Sequence, residues 1–217
     1  MKVLLVEDDA GLREGMAELI SELATVREAS SIAEAQRALG EESFSLVVTD
    51  LRIGDTASGG RLVLEAARKR LQPVVIVSAS AGEEVARLLK PHAPDAVLNK
   101  PFQLDDILLL VERFVRLWRE LARQGAERRV PEDGAWTEQG GVRLGRGAEG
   151  TRWWHLAPGT SLVPSVEQMR SGVLVLEGAL EVEGERRARG ETFFLSAGPR
   201  EVRSLEGCLA VSLTLGA

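Results

Sequence analysis

The sequence predicts two structural classes in one chain: an α/β doubly wound domain on a five-stranded parallel sheet, then a small all-β barrel. Three observations predict this. Up to about residue 120, short apolar runs alternate with segments of helical periodicity. Four of those apolar runs end in charged or hydroxyl side chains, and in an open α/β sheet the crevice beyond the strand ends is where ligands bind. Farther on, helical periodicity gives way to short apolar runs about ten residues apart, separated by Gly-rich or charged turns.

The elements follow in order. Lys2-Val3-Leu4-Leu5-Val6 is a buried strand that runs into Glu7-Asp8-Asp9. Asp9 is placed to cap the next helix, whose apolar stripe is Leu12, Met16, Leu19, Ile20 and Leu23. Thr25–Ala29 is a weaker, edge-like strand. Ser30-Ser31 caps a second helix bearing Ile32, Ala35, Ala38 and Leu39. Phe44–Thr49 is a third strand, closed by Asp50. A third helix carries Leu62, Val63, Leu64 and Ala67, with basic residues 68–70 at its C-terminal end, where cations suit the helix dipole. Pro73–Val77 is a strand ending at Ser78, residues 82–90 form a short helix, and Ala96–Asn99 is a strand ending at Lys100-Pro101. A long fifth helix starts near Leu104 and carries Ile107, Val111, Phe114, Trp118 and Leu121. Short connections between parallel strands impose right-handed crossovers.

These strand ends would gather Glu7, Asp8, Asp50, Ser78 and Lys100 at one sheet edge. Asp50 alone reads either as a loop cap or as a working carboxylate. In company the second reading gains, because clustered like charges are costly unless compensated, and Mg²⁺ takes carboxylate oxygens while keeping open water positions. A carboxylate so placed can attack a phosphoryl group and form an aspartyl-phosphate.

The acidic pair after strand one, Asp50 after strand three, Ser78-Ala79 after strand four and Lys100-Pro101-Phe102 after strand five resemble the receiver domain of two-component response regulators. That resemblance implies a flavodoxin-like sheet of order 2-1-3-4-5. It makes Asp50 the phosphoacceptor, Glu7 and Asp8 the metal-binding pair, and the backbone carbonyl of Arg52 a further Mg²⁺ ligand. Ser78 and Lys100 become the switch hydroxyl and the phosphate-contacting lysine. It also implies a sensor histidine kinase as partner. Two departures stand out. The loop after Asp50 lacks the family's Met-Pro and is slightly long, and Val97 replaces the aromatic that usually turns inward on switching; the chain has no tyrosine.

The 217 residues divide into a receiver domain at 1–122, a linker at 123–134 and a barrel at 135–217. A hydrophobic fraction of 44% and a charged fraction of 28% fit a soluble globular protein. The net charge of −6, without a basic block, argues against a nucleic-acid footprint. No window reaches the roughly 18 apolar residues of a membrane helix, and Cys208 is the single cysteine, so a cytoplasmic protein is expected.

In the barrel, Glu177-Gly178 and Glu183-Gly184 read as hairpin turns. Adjacent Trp153 and Trp154 point to opposite faces of a strand, one filling the core and the other lining a pocket or an interface. The spacing of Pro158-Gly159, Glu177-Gly178 and Gly190 resembles a cupin. At that family's metal-ligand positions stand Ser165, Glu167, Ser171 and Glu201, a poor transition-metal set, so no barrel cofactor is expected. No helix-turn-helix is visible, which speaks against a DNA-binding output.

The reading is therefore a response regulator whose cupin-like output binds a partner, a ligand or a second copy in a homodimer. The alternative is a receiver-controlled enzyme with its chemistry in the barrel, which the missing histidines disfavour.

Overall fold

The computed structural model describes residues 1–56, 58–128, 130–132, 135–147, 150–165, 168–198 and 200–215. Two compact units divide the chain, Met1–Val115 and Arg116–Ala217.

In the first unit the elements alternate: β1 Lys2–Val6, α1 Ala10–Ser21, β2 Thr25–Ala29, α2 Ile32–Glu41, β3 Leu46–Asp50, α3 Gly59–Lys69, β4 Val74–Ser78, α4 Gly82–Leu89, β5 Ala96–Asn99 and α5 Leu104–Glu127. The five strands are parallel, in the order β2-β1-β3-β4-β5. This is the doubly wound, flavodoxin-like sheet. All five residues of β3 and of β4 are buried, as helix cover on both faces requires, whereas edge strands β2 and β5 are half-exposed. On one face Leu4, Val6, Val47, Val74 and Ile76 pack with Ala35 and Leu39 of α2, Val63 and Leu64 of α3, and Val85 and Leu89 of α4.

Local chemistry sets the helix starts. The Asp9 side chain accepts from the Leu12 N–H at 2.8 Å and caps α1. Ser31 Oγ accepts from Glu34 N, and the Glu34 carboxylate reaches back to Ser30 N at 2.7 Å. Below the sheet's far end, Arg68 and Asp95 form a buried ion pair at 2.7 Å. Arg68 also donates to the carbonyls of Gln72 and Ala93, and Asp95 accepts from Val74 N, so the guanidinium and the carboxylate tie α3 to the starts of β4 and β5.

The second unit holds a curled antiparallel sheet. Its strands are β6 Trp136–Gln139, β7 Val142–Arg146, β8 Thr151–Leu156, β9 Ser161–Leu162, β10 Ser171–Val182, β11 Glu185–Ala188, β12 Thr192–Leu195, β13 Val202–Arg203 and β14 Cys208–Thr214. The main path runs β6-β7-β8-β14-β10-β13-β9, with β11 and β12 also on β10. Helix α5 passes from one unit into the other, so its last part, from Arg116, counts among the second unit's elements. A Cβ on Gly172 of β10 would lie 2.6 Å from Leu121 and 3.0 Å from Trp118, so glycine allows that helix to close on the strand. Trp118 meets Phe194 edge-on, with centroids 6.3 Å apart.

Two expectations need correcting. Glu177-Gly178 is not a turn: β10 runs through it for 12 residues, with a register shift between Val175 and Glu177. Gly178 takes φ +67°, and a Cβ there would strike the Gly207 carbonyl, so this glycine serves a bulge that bends one long strand. The turn falls at Glu183-Gly184, where φ is positive at both residues. Nor is either Trp153 or Trp154 left at the surface for an interface; both are wholly buried. By register Trp153 aligns with Val211, which aligns with Leu174, and Leu174 is a residue that crowds Gly125 of α5. Gly125 of α5 therefore closes on the sheet face that carries Trp153, two strands over. Among the described residues no helix is long and apolar enough to cross a membrane.

Candidate functional site

Asp50 is the last residue of β3, and Ser78 is the last of β4. Their strands pair with Asp50 opposite Val77, so the two side chains sit at the same edge, one register step apart. Glu7 follows β1 directly, held by its N–H to the Ala29 carbonyl at 3.1 Å. Lys100 follows β5 and donates its N–H to the Ser78 carbonyl at 2.7 Å.

The structure brings Glu7, Asp8, Asp50 and Lys100 together. One carboxylate oxygen from each acid lies within 4.8 Å of the others, and this is the sole such acidic, His or Cys group among the described residues. Lys100 Nζ donates to Asp50 Oδ2 at 2.5 Å and to Glu7 Oε2 at 3.1 Å. Asp50 Oδ1 accepts from Arg52 N at 3.0 Å, which folds the loop back over the carboxylate. Glu7 is 2% exposed and Asp50 8%, while Asp8 is exposed. The cluster is thus walled by protein on one side and open to solvent at Asp8.

Its electrostatics follow from that placement. Burial, then the neighbouring Asp50 charge, lifts the Glu7 carboxyl above its usual range, against the pull of Lys100. The Gly54 N–H, at 2.9 Å from Asp8 Oδ2, holds Asp8 below the usual range. Burial pulls Lys100 down, but its bonds to Asp50 and Glu7 outweigh that and raise it. The ammonium is therefore charged at neutral pH and compensates part of the acidic cluster.

Ser78 is 1% exposed, and its Oγ accepts from Ser80 N at 3.0 Å. The Arg52 side chain is exposed. Of the barrel positions, Ser171 is buried and its Oγ lies 3.1 Å from Thr214 Oγ1, while Ser165 and Glu201 are exposed. Glu167 lies outside the described residues.

Three contributors were not read from the sequence. Gly54 acts through its main-chain N–H, which leaves no side-chain signal. Arg13 Nη1 donates to the Glu7 carbonyl at 2.9 Å, a contact that lies off the apolar stripe of α1. Gly60 of α3 sits where a Cβ would lie 2.2 Å from the Asp50 carbonyl oxygen. A glycine at a helix start, just after a Gly-containing loop, was the available signal for it.

Residues 3–112 match the response regulator receiver domain family. The chain belongs to that family. Over 122 residues this receiver protein is 29% identical to the transcriptional regulatory protein PdtaR of Mycobacterium tuberculosis, an alignment covering 55% of this chain and 59% of PdtaR. The chain thus spans less than two thirds of that relative. With the sensory transduction protein LytT of Enterococcus faecalis it shares 23% identity over 187 residues, 85% of this chain and 73% of LytT. Among solved structures, the receiver domain of NtrX from Brucella abortus is 26% identical, with a TM-score of 0.47 over 52% of this chain and 98% of that one. The response regulator receiver domain protein from Methanospirillum hungatei JF-1 is 21% identical, with a TM-score of 0.49 over 55% and 96%.

The three carboxylates are a hard-oxygen donor set open on one side, which suits Mg²⁺ better than a soft or imidazole-seeking ion. Glu7, Asp8 and Asp50 would hold it.

Proposed function

We propose that the protein is a two-component response regulator that accepts a phosphoryl group on Asp50 from a sensor histidine kinase. The observation that carries this is the Asp50 carboxylate at the end of β3, fixed by Arg52 N and Lys100 and flanked by Glu7 and Asp8. An Asp50 carboxylate oxygen forms the new P–O bond as the P–N bond to the kinase imidazole breaks. The electron pair of that bond leaves with the imidazole, which is protonated from solvent. Lys100, now on Asp50 and Glu7, moves its charge onto the phosphoryl oxygens, and Ser78 supplies a hydroxyl to them. Bound Mg²⁺ would neutralise charge on the same oxygens. Val97 is 37% exposed on β5, so the rearrangement has no inward-turning aromatic at that position and runs through Ser78 and the α4 start.

The second unit, a cupin-like curled sheet, is the output, acting on a downstream partner, a ligand or a second copy in a homodimer. Intact-mass measurement after acetyl phosphate and Mg²⁺ treatment tests the first part. One phosphoryl group on the wild type and none on Asp50→Asn is expected. An unlabelled wild type, or equal labelling of Asp50→Asn, refutes it.

A further inference from the structure

We infer that the cleft between the two ends of the curled sheet binds a lone extended peptide, which pairs its main chain with β6 and carries apolar, apolar and acidic side chains at alternate positions. This deepens the output reading above, on which it rests, by naming the chemistry of the downstream partner.

Strands β6 and β9 are the two ends of the main sheet path, so each has an outer edge that no described strand pairs with. A cleft of about 410 Å³ lies between them. Thr137, Glu138 and Gln139 line it on one side, and Ser161, Leu162 and Val163 on the other. Successive residues of a strand point to opposite faces, so a wall made of consecutive residues is a strand edge rather than a sheet face. Main-chain groups face the cleft from both walls. Gly140 and Gly141, both with positive φ, make the two-residue turn of the β6–β7 hairpin, and Gln139 pairs with Val142 beside it. Bonded and non-bonded pairs alternate from there, which turns the N–H and C=O of Glu138 away from β7 and outward. At the start of β9 the Thr160 carbonyl accepts from Ser204 N at 2.9 Å, so alternation turns the main chain of Ser161 outward as well. Unpaired edges of this kind are templates for another extended chain.

The cleft selects its occupant. Both walls belong to one sheet, so a strand lying between them is flanked on both sides. A folded second copy would bring the rest of its own sheet with it, whereas a single extended segment has no lateral neighbours to place. The row of side chains beneath sets the peptide's sequence. Val142, Leu144 and Arg146 stand at alternate positions of β7, on one face. Val142 and Leu144 line this cleft, and Leu144 and Arg146 line an adjoining one of about 510 Å³, where Arg146 is exposed. Val163, 61% exposed, adds apolar surface to both. Two apolar side chains followed by a carboxylate answer that row in order, and the guanidinium fork suits the carboxylate.

Fluorescence anisotropy tests this on the full-length protein, without any phosphodonor, using the fluorescein-labelled peptide Thr-Val-Thr-Val-Thr-Asp-amide. Saturable binding is expected. Methylating alternate backbone amides of the peptide removes main-chain donors, and should weaken binding about tenfold or more in at least one of the two possible registers. Glu138→Pro should do the same: the lost N–H faces outward, so the β6–β7 pairing survives. A melting curve checks the fold, and Val163→Asn, at an exposed position, is a second variant that should weaken binding. Absence of saturable binding overturns the inference, as does equal affinity for both methylated peptides or in both variants. A peptide with lysine in place of aspartate that binds as tightly overturns it as well. Dimerisation of the peptide-free protein that Glu138→Pro abolishes would give the cleft to a second copy, and that too overturns it. Because Asp50 takes no part, failure here and failure of phosphorylation are separate results.

Discussion

Gly60→Ala tests how the acceptor strand is held. Gly60 is the second residue of α3, and its N–H donates to the Leu51 carbonyl at 3.0 Å. A Cβ there would sit 2.2 Å from the Asp50 carbonyl oxygen and 2.9 Å from Leu51 Cα. Both obstacles are main chain, so no side-chain rotation relieves them. Ordinary contact begins near 3.4 Å, so the helix start or the end of β3 must move by more than about 1 Å. Overpacking in a close-packed interior costs about 1–3 kcal/mol, and a backbone obstacle belongs at the top of that range. For a unit of this size, about 3 kcal/mol lowers Tm by roughly 12 °C. The assay is thermal unfolding followed at 222 nm, which weights the helical first unit. Gly82→Ala is the control, since a Cβ there meets nothing within 4 Å and the substitution should be neutral or slightly stabilising. If Gly60→Ala melts within about 2 °C of wild type, the close approach does not constrain the strand and the reasoning fails.

Asp95→Ala should cost about 3–5 kcal/mol in urea unfolding, because it strands the buried Arg68 guanidinium and frees Val74 N; a loss under about 1 kcal/mol would contradict this. Glu7→Gln should stabilise the metal-free protein at neutral pH. The folded-state Glu7 carboxyl titrates above its unfolded value, so its contribution is complete below the unfolded pKa of 4.5 and is lost as pH rises through the raised value. The variant's stability should therefore fall less than the wild type's over that window in a pH series of melts, and added Mg²⁺ should raise its Tm less; parallel pH curves would refute the sign. Lys100→Met should destabilise the metal-free protein by leaving three carboxylates uncompensated, yet enlarge the Mg²⁺-induced rise in Tm. An unchanged Mg²⁺ response would show that the lysine and the ion do not share a site.

Much of the receiver was legible because its strands are short apolar runs closed by polar residues. Asp9 could be read as a cap, and the structure uses it so. The strand-end acids and Lys100 could be named as a set because the βα topology fixes which strand ends share an edge. Gly54 and Arg13 could not, since one acts through its main chain and the other through a contact set by helix rotation. In the second unit the limit was different. A glycine with positive φ looks the same in a sequence whether it ends a strand at a turn or bends one at a bulge; only Gly207 across from Gly178 distinguishes them. Leu117, Trp118 and Leu121 continue the same apolar stripe as Phe114, so nothing local told that they serve a different core. The polar, two- to four-residue strands β6, β9, β11 and β13 carried no periodicity to read.

Helix α5 has two owners along its length, and that decides where the chain can be cut. A splice at residue 128, where the helical pattern gives out, would hand the curled sheet to a new host without Trp118 and Leu121, baring the strip around Gly172 and Phe194. A graft that changes partners at Val115 carries this cover with the sheet, so chimeric regulators built from this output should be joined inside the helix rather than after it.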